Sequence, residues 1–114
     1  MAGVEQPMAK YTLQDLEKRI ETRAQASPDV SYTRKLLDKG VAQCAKKLGE
    51  EAIETVIAAT AESRERLIAE SGDLLYHLLI VLHARGISLA EIEAALSDRQ
   101  GMSGLEEKSA RPRQ

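Results

Sequence analysis

Nine consecutive residues, Leu74 to Leu82 (LLYHLLIVL), are apolar apart from Tyr76 and His77. A helix made of them is greasy around nearly its whole circumference and has to be covered on most sides. At nine residues the run is too short to cross a bilayer, which takes about 20. Its cover has to be aliphatic, because the chain holds three tyrosines and no Phe or Trp. Leu, Ile, Val and Ala suit packed helices better than a β-sandwich, so the run predicts a helical fold built around this segment.

The remaining periodicity agrees. Thr12 is a candidate cap for a first helix with Leu13, Leu16 and Ile20 at helical spacing, Asp15 in its first turn and an end near Ser27-Pro28. SYTRKLLDKG reads as a short helical segment closed by Gly40. A longer helix is predicted over 41–59, with Val41, Ala45, Leu48, Ala52, Val56 and Ala59 as its apolar stripe. Gly49 interrupts it at about 1 kcal/mol relative to alanine, unless a packed helix or a ligand approaches closely there. A break at 60–64 precedes a helix over 63–85, closed by Gly86, and SLAE at 88–91 is a capping box that opens another. No useful strand-like alternation occurs, so the fold class is all-α.

Length sets one domain, expected over 11–98, between a loose lead-in at 1–10 and a tail at 99–114 with little apolar content. Hydrophobic residues at 43% and charged residues at 30% mark a globular chain. Its aliphatic core is small enough to favour oligomerisation as extra burial. A net charge of −2 argues against a nucleic-acid partner. Neither a signal peptide nor a bilayer-length apolar run is evident, so the expectation is a cytoplasmic protein without a membrane partner. The lone Cys44 excludes an intrachain disulfide and a CxxC motif, and reads as a small buried or interface thiol.

The chemistry gathers in KKLGEEAIETVI, residues 46–57, and in ESGD, residues 70–73. Glu51 and Glu54 are three apart, Glu50 and Glu54 four apart, and Glu70 and Asp73 three apart, with His77 one turn later. Like charges at such spacings destabilise a helix by roughly 0.2–0.5 kcal/mol per pair and ask for a reason. If the two helices form a hairpin, Glu54 with Glu70 and Glu51 with Asp73 share the midpoint 62, inside the predicted break. Four carboxylates would then face each other at two levels, which needs a positive charge among them. An all-oxygen set suits Mg²⁺ or Mn²⁺, ions that help hold substrate phosphates.

Arg34, Lys35, Lys39, Lys46 and Lys47 lie upstream, where they can meet a polyphosphate, and Lys47, one turn before Glu51, is the best placed. His77 is favoured as a support behind the ligands rather than as a ligand. Tyr76 is read as core or interface, and Tyr32 as packing ahead of base stacking. On chemistry alone, a solvated acidic face and a metal site both remain open.

Taken together, SYTRKLLDKG, KKLGEEAIETVIAA, ESGDLLYHLLIVLHARG and SGLEEKSARP resemble the phosphoribosyl-ATP pyrophosphatases, over roughly residues 11–111. That family is MazG-like, with an EExxE block followed by ExxD; here these are Glu50, Glu51 and Glu54, then Glu70 and Asp73. The resemblance implies a helical-hairpin bundle completed by dimerisation, a cytoplasmic homodimer, and an Mg²⁺-dependent site. It implies hydrolysis of phosphoribosyl-ATP to phosphoribosyl-AMP and pyrophosphate, the second step of histidine biosynthesis, by a Mg-activated water. The implied metal ligands are Glu51, Glu54, Glu70 and Asp73. Glu50 is a further ligand or positions the water, and Lys47, with Lys46 and Arg34 behind it, meets phosphate. The fused cyclohydrolase found in some organisms is not expected here. Two rivals remain: a house-cleaning nucleoside triphosphate pyrophosphatase with the same acidic machinery, and a non-catalytic helical interaction module.

Overall fold

The computed structural model describes residues 10–100, and among them every regular element is helical. The order is α1 (Leu13–Ala24), α2 (Tyr32–Asp38), α3 (Val41–Ala61), α4 (Arg64–Ala84) and α5 (Leu89–Asp98). Residues 1–9 and 101–114, which hold most of the expected lead-in (1–10) and tail (99–114), lie outside the described residues.

Each boundary has a local cause. Thr12 caps α1 through a reciprocal box: its hydroxyl accepts the Asp15 N–H at 3.1 Å, and the Asp15 carboxylate accepts the Thr12 N–H at 3.0 Å. Hydrogen bonding from Thr12, above all its backbone N–H, holds the Asp15 carboxyl below its ordinary value. α1 ends at Ala24, before the predicted Ser27-Pro28. Ser31 then clasps the turn, donating its hydroxyl proton to the Arg23 carbonyl at 2.8 Å while accepting the Arg34 N–H that opens α2. Gly40 separates α2 from α3 at φ +95°, a conformation open to glycine and strained for a side chain. Gly86, at φ +71°, closes α4 in a Schellman arrangement, with Ile87 N–H on the Leu82 carbonyl and Gly86 N–H on that of His83. The capping box predicted at 88–91 is present and opens α5.

α3 and α4 form the predicted hairpin, reversing at Glu62 and Ser63. The core of Ile20, Leu36, Cys44, Leu79 and Ile80 sits at its open end, where α1, α2 and α5 cover it. Cys44 is buried there, its thiol donating to the Leu36 carbonyl at 3.3 Å, and burial pushes its pKa up, so it stays a protonated core group. α4 is long and apolar enough to cross a membrane on composition. Buried Glu70 and His77 on that helix, against α3 and α2, give it another use as the central helix of the bundle.

Two expectations change. The stripe predicted for the longer helix does not face the hairpin: Val41, Ala45, Val56 and Ala59 are exposed, and α3 buries Cys44, Glu51 and Ala58 instead. The run at 74–82 is likewise only partly covered, with Leu75 and Leu78 in the open. The turn end of the hairpin therefore shows a bare aliphatic surface, with Ile53 62%, Val56 63% and Ile68 59% exposed. Among the described residues, a side chain at Gly49 would meet nothing within 4 Å, so no close approach among them explains that glycine.

Candidate active site

The hairpin register brings carboxylates from both helices together. One carboxylate oxygen each from Glu51, Glu70 and Asp73 lie within 4.8 Å of one another. Glu51 is 6% and Glu70 5% exposed, whereas Asp73 opens to solvent. Thr55 helps set this register, its hydroxyl directed at the carbonyls of Glu51 at 2.8 Å and Glu70 at 3.2 Å, one on each helix. Glu70 Oε2 is held by the Arg66 guanidinium, and its buried Oε1 has no partner among the described residues. Burial pushes the Glu70 carboxyl above its ordinary value; Arg66 pulls it down, and Glu54, Glu51 and Asp73 push it further up.

An orphaned buried carboxylate oxygen next to two more carboxylates fits a hard divalent cation held by oxygen. Lys47 shields one edge, its ammonium 3.5 Å from Glu51 and 3.7 Å from Glu50. Burial pulls that ammonium down, but Tyr32, Glu51 and Glu50 outweigh it and hold Lys47 above its ordinary value, so it is charged at neutral pH.

Residues 13–100, which take in all five helices and every one of these side chains, match the phosphoribosyl-ATP pyrophosphohydrolase family. The chain belongs to that family.

Its similarity to individual relatives extends along nearly the whole length of each. It is 61% identical over 104 residues to phosphoribosyl-ATP pyrophosphatase 1 of Bradyrhizobium diazoefficiens, covering 91% of this chain and 98% of that one. It is 56% identical to the phosphoribosyl-ATP pyrophosphatase of Nitrobacter hamburgensis, covering 94% and 100%. With phosphoribosyl-ATP pyrophosphatase 1 of Rhodopseudomonas palustris the identity is 54%, covering 93% and 99%.

Within this pyrophosphohydrolase, three of the four anticipated ligands converge, and the fourth, Glu54, lies beside Glu70 but outside that group of three. Glu54 is exposed and lines a shallow pocket with Glu70, Glu62 and Arg66 near the hairpin turn. Glu50 is outside the cluster, exposed and paired with Lys47, and Lys46 is exposed. Arg34 serves a different contact from the anticipated phosphate: its guanidinium pairs with Asp38 at 2.9 Å and reaches the Ala26 carbonyl at 3.3 Å, fastening α2 to the end of α1. His77 is buried, with Nδ1 2.8 Å from the Asp73 carbonyl. A carbonyl only accepts, so Nδ1 carries a proton and donates it, while Nε2 has no partner among the described residues. Its ring packs edge-on to Tyr76 at 5.0 Å and to Tyr32 at 6.3 Å.

Arg66 was missed in the reading from sequence, although its place four residues before Glu70 is a readable pairing signal. Thr55 carries no comparable signal, because its second contact depends on the hairpin register.

Proposed function

We propose that this chain hydrolyses phosphoribosyl-ATP to phosphoribosyl-AMP and pyrophosphate, as a cytoplasmic enzyme of histidine biosynthesis. The observation that carries the reading is the convergence of Glu51, Glu70 and Asp73, with a Glu70 oxygen unpartnered among the described residues, in a chain of this family. Glu51, Glu70 and Asp73 would hold a divalent cation, Mg²⁺ or Mn²⁺, with Glu54 on the adjoining turn of α3 as the further carboxylate. Such a cation, when bound, supplies positive charge against the polyphosphate and makes a nearby water more acidic.

The protein's own groups divide the remaining work. Water oxygen adds to phosphorus, the bond between the α- and β-phosphoryl groups breaks, and pyrophosphate leaves with its electron pair. Lys47, charged at one edge of the cluster, meets the negative charge that develops on the leaving group. Glu50, exposed beside Lys47 and outside the cluster, takes the proton released by the water. His77 braces the Asp73 turn of α4 from behind.

A homodimer accompanies this reading. The apolar surface around Ile53, Val56 and Ile68 belongs to the same two helices that carry the cluster, and the buried core of one chain is small. A second copy packed there would complete the bundle and stiffen the helices that position the carboxylates.

The deciding experiment is release of pyrophosphate from phosphoribosyl-ATP, with and without chelator, beside a panel of nucleoside triphosphates. Turnover of phosphoribosyl-ATP that stops on chelation is the expected result. Preference for a plain triphosphate would move the chain to the house-cleaning reading.

A further inference from the structure

Beyond the carboxylate cluster, the fold builds a second polar cavity of about 240 Å³ between α1, the start of α2 and α4. Arg19 and Arg23, one turn apart on α1, line it together with Tyr32, Thr33 and Tyr76. Among the described residues neither arginine has a carboxylate partner; Arg23 donates to the Val30 carbonyl, and Arg19 makes no ion pair. Among the described residues no carboxylate lines this cavity, whereas the one between α1 and the end of α4 includes Glu17 and Glu21. Thr33 is buried and shares a 2.7 Å hydrogen bond with the Tyr76 hydroxyl. Two hydroxyls bring two protons and that bond uses one, so the pair retains a donor for an acceptor in the cavity. Two guanidinium groups and a spare hydroxyl donor, with no opposing anion, are the donor set of a phosphate subsite.

The cavity also has a physical connection to the site already described. Tyr32 forms part of its wall and stacks on Tyr76 at 6.5 Å, 22° from parallel. The Tyr32 ring also stands nearly perpendicular to the His77 ring at 6.3 Å, and His77 Nδ1 is bonded to the Asp73 carbonyl. The aromatic pair thus stands between a divalent-cation cluster and a basic cavity. The proposed substrate has the same two-ended chemistry: a polyphosphate at one end and, through the base, a ribose carrying a phosphomonoester at the other.

Resting on the function proposed above, we infer that the Arg19–Arg23 cavity binds the 5′-phosphate of the N1-phosphoribosyl group and so selects this substrate over plain nucleoside triphosphates. The polyphosphate goes to the carboxylate cluster and Lys47, and the base lies along Tyr32 between them.

Arg19→Gln is the probe, because Arg19 is exposed and its loss should leave the fold intact. Arg23 fastens the Val30 carbonyl, so its replacement would disturb the α1–α2 turn. The assay compares kcat and KM for phosphoribosyl-ATP and for the analogue lacking only the 5′-phosphate of the N1-ribose. Wild type should favour the phosphorylated substrate, and Arg19→Gln should raise its KM about ten- to a hundredfold with kcat nearly unchanged. The analogue should be handled alike by both proteins, and Arg19→Lys should fall in between. Equal losses on both substrates would place the polyphosphate in this cavity, and an unchanged KM for phosphoribosyl-ATP would leave it without a role; either result overturns the inference. Wild type that fails to turn over phosphoribosyl-ATP at all would instead sink the function on which it rests.

Discussion

Arg66 and Glu70 meet one turn apart on α4, the guanidinium holding Oε2, while Oε1 of the same buried carboxylate is left without a partner among the described residues. One cation on one edge does not offset burial next to Glu51, Glu54 and Asp73, and the Glu70 carboxyl is raised from the ordinary 4.5. The sign of the linkage follows. A carboxyl whose pKa is higher folded than unfolded favours the native state in its protonated form. Its contribution is fully present below the unfolded value and is lost as pH rises through the folded one. Chelator-treated protein should lose stability across that window, and the loss should be absent from Glu70→Gln. A divalent cation should restore it near neutral pH, by about 2.7 kcal/mol at a hundredfold excess over its Kd. Melting curves of both proteins between pH 4.5 and 7, with and without Mg²⁺, test this; identical pH profiles would refute it.

The bare aliphatic surface at the turn end of the hairpin predicts self-association. Val56→Asp or Ile68→Asp places a charge on it without touching the intrachain core, since both residues are exposed in the single chain. Wild type should sediment as a dimer and either variant as a monomer with similar helical content. A wild type that stays monomeric at tens of micromolar would rule the interface out.

At the other end of the molecule, the Thr12–Asp15 box predicts a small, local effect. Thr12→Ala removes the acceptor for the Asp15 N–H and should cost about 1 kcal/mol. For a domain of this size that is a drop in Tm of roughly 4–8 °C, with turnover at 25 °C unchanged. The Asp15 carboxyl is depressed, so its share of stability is present above the unfolded value and is lost as pH falls through the folded one. The Tm gap between wild type and Asp15→Asn should therefore close in acid.

What sequence periodicity conveys, and what it does not, is clearest on α3. Steps of three and four from Val41 to Ala59 define a helix and end it within two residues of its observed end at Ala61. They cannot say which neighbour covers the stripe, because burial against another helix of the same chain and burial against a second chain leave the same pattern. The face that does pack on α4 holds Glu51 and Thr55, residues that hydropathy assigns to solvent. The midpoint at 62 placed the hairpin turn correctly because register along a helix is integer arithmetic. Side-chain reach is not, and Glu54, though level with Glu70 in that count, remains outside the three that converge. The basic cavity was also hidden, since Arg19 and Thr33 become neighbours only once α1 folds back on α2.

Glu50 is where ligand and base make different predictions. It pairs with Lys47 at 3.7 Å and is not one of the carboxylates that converge. If it accepts the proton of the attacking water, Glu50→Gln should bind Mg²⁺ as wild type does, keep KM, and lose kcat by about a hundredfold or more. Glu51→Gln is the contrast: Glu51 lies within the cluster, so its amide should weaken metal binding and turnover together. Calorimetric titration with Mg²⁺ alongside steady-state kinetics separates the two roles. Weakened Mg²⁺ binding in Glu50→Gln would make it a ligand reached by side-chain rotation, and full kcat would leave it only the partner of Lys47.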